Sequence, residues 1–367
     1  MTIEWLAGNR IRGTNAERTT TTGISPITTA VGGWKELTRF TLGSTSTSIT
    51  TPTFDNKIYY KVLVHGIKSS GSVETGLRMN GVASGNKYAA RLRVDDDTER
   101  TPTGQNQIAD GWFSDPNEFL SQIYISNLAG SEKLVIGHTA GAGTAGVTTV
   151  PKRMEWVGKF VPSPDADVSS ITIYGSGTFA VGSEVVVLGW DPADSHSTNF
   201  WEELASVDLT GGAASTLSSG TIAAKKYLWV QYYTDSIASS SRPDFLFNSD
   251  TGTNYSNRYN YNGTESVAAS EDSHFAGISP ATTPFFANFF IVNNSANEKI
   301  SIGTGISRGG SGANTAIAQK FELAQKWTRT SGSGTGDASA QITKITLTND
   351  ASANFGTSTY LRVWGSN

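Results

Sequence analysis

Short runs of alternating apolar and polar residues recur along the chain, and this two-residue period predicts strands. Tyr60, Val62 and Val64 share one face of such a run, with Tyr59, Lys61, Leu63 and His65 on the other. Ile123 and Ile125 alternate with Tyr124 and Ser126, Leu134 and Ile136 with Val135 and Gly137, and Val185 and Val187 with Val186 and Leu188. Gly-, Ser- and Asn-rich stretches at 69–72, 80–86, 140–146 and 175–177 separate the runs. A helical period is not sustained anywhere; the best helix candidate is the short stretch 199–205. Short strands at this spacing predict an all-β sandwich or barrel.

The pattern occurs twice. Residues 34–37 (WKEL) match 201–204 (WEEL), an offset of 167. Asn80, Gly85, Tyr88 and Arg91 match Asn248, Gly252, Tyr255 and Arg258, and 132–137 (EKLVIG) matches 298–303 (EKISIG). The terminal strand 179–189 matches 355–365, the drift falling in the Ser/Gly-rich loop 328–341. Matches in one order along both halves predict two tandem homologous β-sandwich domains at 34–193 and 201–367, with a linker at 194–200 and an N-terminal extended arm at 1–33. Each half offers eight to ten strands, as a jelly roll or another Greek-key sandwich. The expected core holds Val62, Val64, Ile136 and Val187, with Val230, Ile302 and Val363 at matching places. Trp34 and Trp201 are read as anchors that close the sandwiches, and Arg91 and Arg258 as braces of a long loop.

Composition narrows the chemistry. Only 16% of the 367 residues are charged, 28 basic against 32 acidic, for a net charge of −4. Without a basic tract the chain is not expected to bind nucleic acid, since phosphate neutralisation needs clustered Lys and Arg. The absence of Cys excludes disulfides, thiolate metal sites and thiol nucleophiles. The most apolar stretches, 185–190 and 285–292, are too short for a membrane helix, and the N-terminal residues lack the apolar region of a secretory signal. The four His lack metal-ligand spacing, and Asp95–Asp97 with Glu99 read as a solvated loop. The chain carries no G-x-S-x-G elbow, phosphate loop or nominated carboxylate pair. The expectation is a non-enzyme with no cofactor and no metal.

Positions that differ between the halves point elsewhere. Tyr227, Trp229, Gln231 and Tyr233 form an aromatic stripe facing away from the core of the second domain, where the first has Tyr59, Lys61 and His65. Either a loop or the other domain covers the stripe, or Tyr227, Trp229 and Tyr233 contact a partner subunit. Trp112 and Phe113, in an acidic loop, either tuck beneath it or stack on a sugar or partner protein. Trp5, Arg10 and Arg12 are the candidate contacts of the arm.

The ordered elements W-[KE]-E-L, N-G/S…G-N-x-Y…R and E-K-[LI]-x-I-G, and the opening AGNRIRG at 7–13, resemble the tandem jelly-roll structural proteins of tailed bacteriophages and related viruses. The resemblance implies a virion component assembled in the host cytoplasm. It carries no catalytic residues. The leading expectation is a capsid decoration or cement protein bound to the major capsid protein, in symmetric copies, as a homo-oligomer and most simply a trimer. The alternative is a tail-fibre or receptor-binding protein that grips host glycans through the Trp112 loop.

Overall fold

The computed structural model describes residues 33–70, 74–111, 117–162, 166–191, 199–209, 211–238, 241–277, 284–295, 297–308, 318–328 and 340–367. The residues 1–32, with Trp5, Arg10 and Arg12, and the loop residues Trp112 and Phe113 lie outside this set. The first domain contains β1 (Lys35–Thr41), β2 (Ser46–Thr50), β3 (Tyr59–Ser70), β4 (Thr75–Met79), β5 (Tyr88–Val94), β6 (Ile108–Gly111), β7 (Glu118–Ser126), β8 (Lys133–Gly141), β9 (Lys152–Phe160), β10 (Ile171–Phe179) and β11 (Glu184–Trp190). The second contains β12 (Glu202–Asp208), β13 (Leu217–Ser218), β14 (Tyr227–Thr234), β15 (Pro243–Phe247), β16 (Tyr255–Tyr261), β17 (Thr264–Glu271), β18 (His274–Phe275), β19 (Phe285–Val292), β20 (Lys299–Ser307), β21 (Gln319–Trp327), β22 (Ile345–Asn349) and β23 (Tyr360–Ser366). The described residues include no helix; the helix candidate at 199–205 is extended chain entering β12, because its Glu202, Glu203 and Ala205 pair with the last strand and Leu204 falls at a bulge between them.

Each domain is an antiparallel β-sandwich. In the first, a large layer runs β1-β11-β3-β7-β8-β9-β5 and faces a smaller layer β2-β10-β4-β6; β10 also touches β3, where Phe179 pairs with Lys68. In the second, β12-β23-β14-β19-β20-β21-β16-β17 faces β13-β22-β15-β18. The two orders agree strand for strand, with β17 added at one edge. Among the described residues the eleven and twelve strands exceed the eight to ten expected, because short edge strands such as β6 and β13 carry no legible alternation. Among the described residues every strand pairing lies within 35–190 or within 202–366.

Repeated residues hold the same turns. Asn80 and Asn248 adopt φ of 54° and 52°. The Asn80 Oδ1 accepts the Ser169 N–H at 2.8 Å, and the Asn248 Oδ1 accepts the Thr343 N–H at 2.8 Å. Tyr88 and Tyr255 accept the N–H of Met79 and Phe247, each at 3.0 Å, and donate to Val82 O and Asp250 O. Asn tolerates left-handed backbone while its amide bonds nearby main chain, which explains its retention at both turns.

Val62, Val64 and Val187 sit in the core of the first sandwich, and Val230 and Val363 in that of the second. Ile136 does not: it is 53% exposed on the outer face of β8, while Val135 is buried. The cause is Gly137, where an added Cβ would overlap the indole of Trp156, so the ring fills the inward site beside Val135. Ile302 is buried, but outside the sandwich core. Trp34 and Trp201 close neither sandwich; both pack on a third cluster between the domains.

That cluster joins Leu63, Leu120, Ala140, Ala142, Val186 and Leu188 of the first domain to Trp201, Tyr227, Trp229, Val292, Ile300, Ile302, Ala324 and Trp364 of the second. All lie on the outer faces of the two large layers or beside them. The molecule is therefore four layers deep, small–large–large–small, with strands such as β11 buried on both faces.

Candidate interaction surface

The junction between the domains is built from the stripe singled out in the sequence. Alternation along β14 sends Leu228 and Val230 into the sandwich and Tyr227 and Trp229 outward. Trp229 stacks on Phe290 at 5.5 Å between centroids and meets Trp364 at 4.7 Å. Into this aromatic box reaches Lys61 of β3. Its ammonium lies 3.6 Å from the Phe290 centroid, 5.6 Å from that of Trp201 and 5.7 Å from that of Trp229, with Tyr124 of its own domain at 5.2 Å. Burial pushes the Lys61 pKa well below its ordinary value, and the negative ring faces offset part of that desolvation. Trp229 is thus 7% exposed and Tyr227 2%. Neither is open to a partner subunit, and the assignment of that role to them is corrected: the other domain covers them. Tyr233 is half-buried and stacks on Tyr360 at 5.6 Å.

Polar groups flank the box. The Tyr227 hydroxyl donates to Glu184 at 2.8 Å, and Lys226, Arg39 and Thr41 hold the same carboxylate. Burial works against ionisation of Glu184, yet these partners, Lys226 foremost, hold its pKa below the usual value. At the other side, Arg153 pairs with Glu265 at 2.7 Å and Glu322 at 3.2 Å, and Arg258 with Asp95 at 3.2 Å. Lys326 donates to Ala142 O and Thr144 O, each at 2.9 Å. Arg258 therefore braces the domains against each other, whereas its counterpart Arg91 pairs across a surface loop, with Glu99.

Other buried titratable groups have structural partners. His65 meets Glu118 at 2.5 Å and His274 meets Ser301 at 2.7 Å, in sites closed to solvent. Burial lowers the His274 pKa to about 3 and raises that of Asp244 to about 6, although Arg242 and Ser273 bond the latter. Among the described residues no group of three or more His, Asp or Glu is placed to hold a metal ion, and no helix is long and apolar enough to cross a membrane.

The junction is lopsided. In the second domain Trp201, Tyr227, Ile300, Ile302 and Ala324 are buried beneath the first. Of their counterparts in the first domain, Trp34 is half-buried at the edge of the cluster, and the rest are left open: Tyr59 is 39% exposed, Leu134 58%, Ile136 53% and Val157 46%. Trp190 stacks on Tyr59 at 5.5 Å, and with Trp34, Tyr124, Leu134 and Ile136 they line an open, almost wholly apolar groove of about 410 Å³. Sequence reading missed this face because it put Ile136 in the core. The signal was present in the aromatic and aliphatic residues placed opposite Val135 and Gly137.

No family model matches the chain, and a search of curated proteins finds no match. Among solved structures, the LG1–3 region of the laminin α2 chain aligns at 10% identity and a TM-score of 0.19, covering 89% of this chain and 64% of that one. The chain thus spans less than two thirds of that structure's length. Domains LG4–5 of the mouse laminin α1 chain align at 9% identity and a TM-score of 0.20, covering 91% of each chain. Particles derived from infectious bursal virus align at 11% identity and a TM-score of 0.09, covering 93% of this chain and 79% of theirs.

Proposed function

We propose that this chain is a structural protein of a virus particle, a decoration or cement protein on the outer capsid surface, present in multiple symmetric copies and bound to the major capsid protein. The observation that carries the reading is the interdomain core. Two sandwiches of one fold share a buried aromatic junction with ion pairs on both sides, so they act as a single block with a fixed pair of end surfaces. Such a block suits a permanent scaffold, in which one domain grips the shell and the other projects. The sequence resemblance to tailed-phage structural proteins supports the same reading, as does the polar Ser/Thr/Asn-rich composition. Residues 1–33 would supply a second attachment, by adding main-chain hydrogen bonds to a neighbouring subunit.

The groove lends no support to glycan recognition, an alternative that rests on the Trp112 loop outside the described residues. Its lining is almost all ring and aliphatic surface, whereas a sugar needs several convergent polar groups. The deciding experiment is mass spectrometry of purified particles, followed by antibody labelling in electron micrographs. The protein is expected in stoichiometric amount on the head exterior. Absence from purified particles overturns the reading, and labelling confined to tail tips transfers it to receptor binding. Purified protein is also expected to leave polysaccharide and ester substrates uncleaved.

A further inference from the structure

We propose that the open face of the first domain is a self-association surface, on which a second copy of this chain seats the same face across a two-fold axis. The ground is the duplication. In the second domain the equivalent face is buried against a sandwich of the same fold, on the end of its large layer that carries Leu120, Ala140, Ala142 and Glu184. The internal junction also sets equivalent positions against each other: Lys61 against Trp229, and His138 beside Thr304 around a cavity of about 10 Å³. The fold therefore packs on its like through its large layer, with counterparts meeting near the centre. The first domain keeps half of that face unused, and Tyr124, which touches Lys61, links the used half to the free one.

The free half has the composition of a buried contact. Leu134, Ile136, Val157, Tyr59 and Trp190 present contiguous apolar surface on neighbouring strands, of the kind that marks an interaction site on soluble proteins. At its rim Lys159 and Glu132, both half-exposed, pair at 2.9 Å. A two-fold axis can bring the Lys159 of one copy to the Glu132 of the other, so the rim is complementary to itself. The charges at the rim of this patch are thus compatible with the same patch on a second copy.

The test uses the full chain and needs no virus particles, so its failure is distinguishable from failure of the virion reading. Sedimentation velocity over a wide concentration range should show a reversible dimer. Ile136→Glu should weaken dimerisation about thirtyfold or more, since it sets a charge inside a desolvated contact. Ile136→Val should retain it. Val181→Glu, at an exposed apolar residue outside the face, should leave it unchanged. The chain has no Cys, so Leu134→Cys under mild oxidation should yield a dimer cross-linked only through that position. A monomeric wild type, a dimer indifferent to Ile136→Glu, or equal loss in Val181→Glu overturns the proposal. So does cross-linking of Leu134→Cys only to an Ile306→Cys variant, which would mean head-to-tail contact. Dimerisation that appears only when residues 1–33 are deleted also overturns it, because the face is then covered within one chain.

Discussion

His274 and Asp244 show how single buried groups set the response of this protein to acid. His274 is fully enclosed and its folded value, about 3, lies below the ordinary 6.5. The unfolded chain therefore binds the proton that the folded one refuses, and stability falls as pH drops from about 6.5 toward about 3. Asp244 acts with opposite sign: its folded value is raised to about 6, so its contribution is greatest at low pH and is lost as pH rises from about 4 through about 6. Between about pH 4 and 6 the two slopes oppose each other. His274→Gln keeps a group able to bond Ser301 and removes one titration. Relative to wild type, the variant should gain about 1.4 kcal/mol per pH unit on acidification from pH 6.5 to 4, measured by urea unfolding at several pH values. A difference that does not vary with pH would refute the assignment.

The strands carry a second device, glycine beneath an aromatic ring. Gly137 lies under Trp156, Gly303 under Phe289, and Gly305 under Phe321, each ring coming from a neighbouring strand. The ring supplies the core surface that the glycine lacks. Gly137→Ala should therefore cost about 1–3 kcal/mol by overpacking, seen as a lower denaturation midpoint with an unchanged slope. An unaffected midpoint would mean that Trp156 moves aside freely. The same device decides what could be read from the sequence. The duplication was legible because Asn80, Tyr88 and their counterparts bond the same turn atoms in both halves. The inward side of β8 was not, because a glycine under a ring leaves Leu134 and Ile136 as its most apolar residues. Burial on both faces had a signal that went unused: 185–188 and 228–230 are unbroken apolar runs, as strands covered on both sides require. The partner covering the second face leaves no period of its own, so neither the four-layer stack nor the open groove followed from alternation.

At the scale of the whole molecule, the junction should make the two sandwiches unfold together. Calorimetry of the wild type is expected to show one transition, because separating the domains exposes Leu63, Leu188, Trp229 and Trp364 to water. Trp229→Ala removes the ring that packs on Phe290, Trp201 and Trp364 of its own domain and turns toward Lys61 of the first, within the cluster shared by both. Truncation of a buried Trp costs about 3–5 kcal/mol, and here the loss falls on coupling between domains. The variant should show two transitions, with the first sandwich melting near its original temperature. Two transitions in the wild type would show that the sandwiches are independent.

The meeting of Lys61 with Trp229 has an evolutionary reading. These are one position in two copies of an ancestral sandwich, and in the stack they come face to face. A homodimer of identical chains would have to set lysine against lysine or tryptophan against tryptophan at such a point. Within one chain the two sides need not be identical, so a lysine can answer a ring. Once the halves had diverged in this way, neither could pair with its own kind through that spot as well as it pairs with its sister. The two sandwiches are thereby matched to each other as parts of one chain.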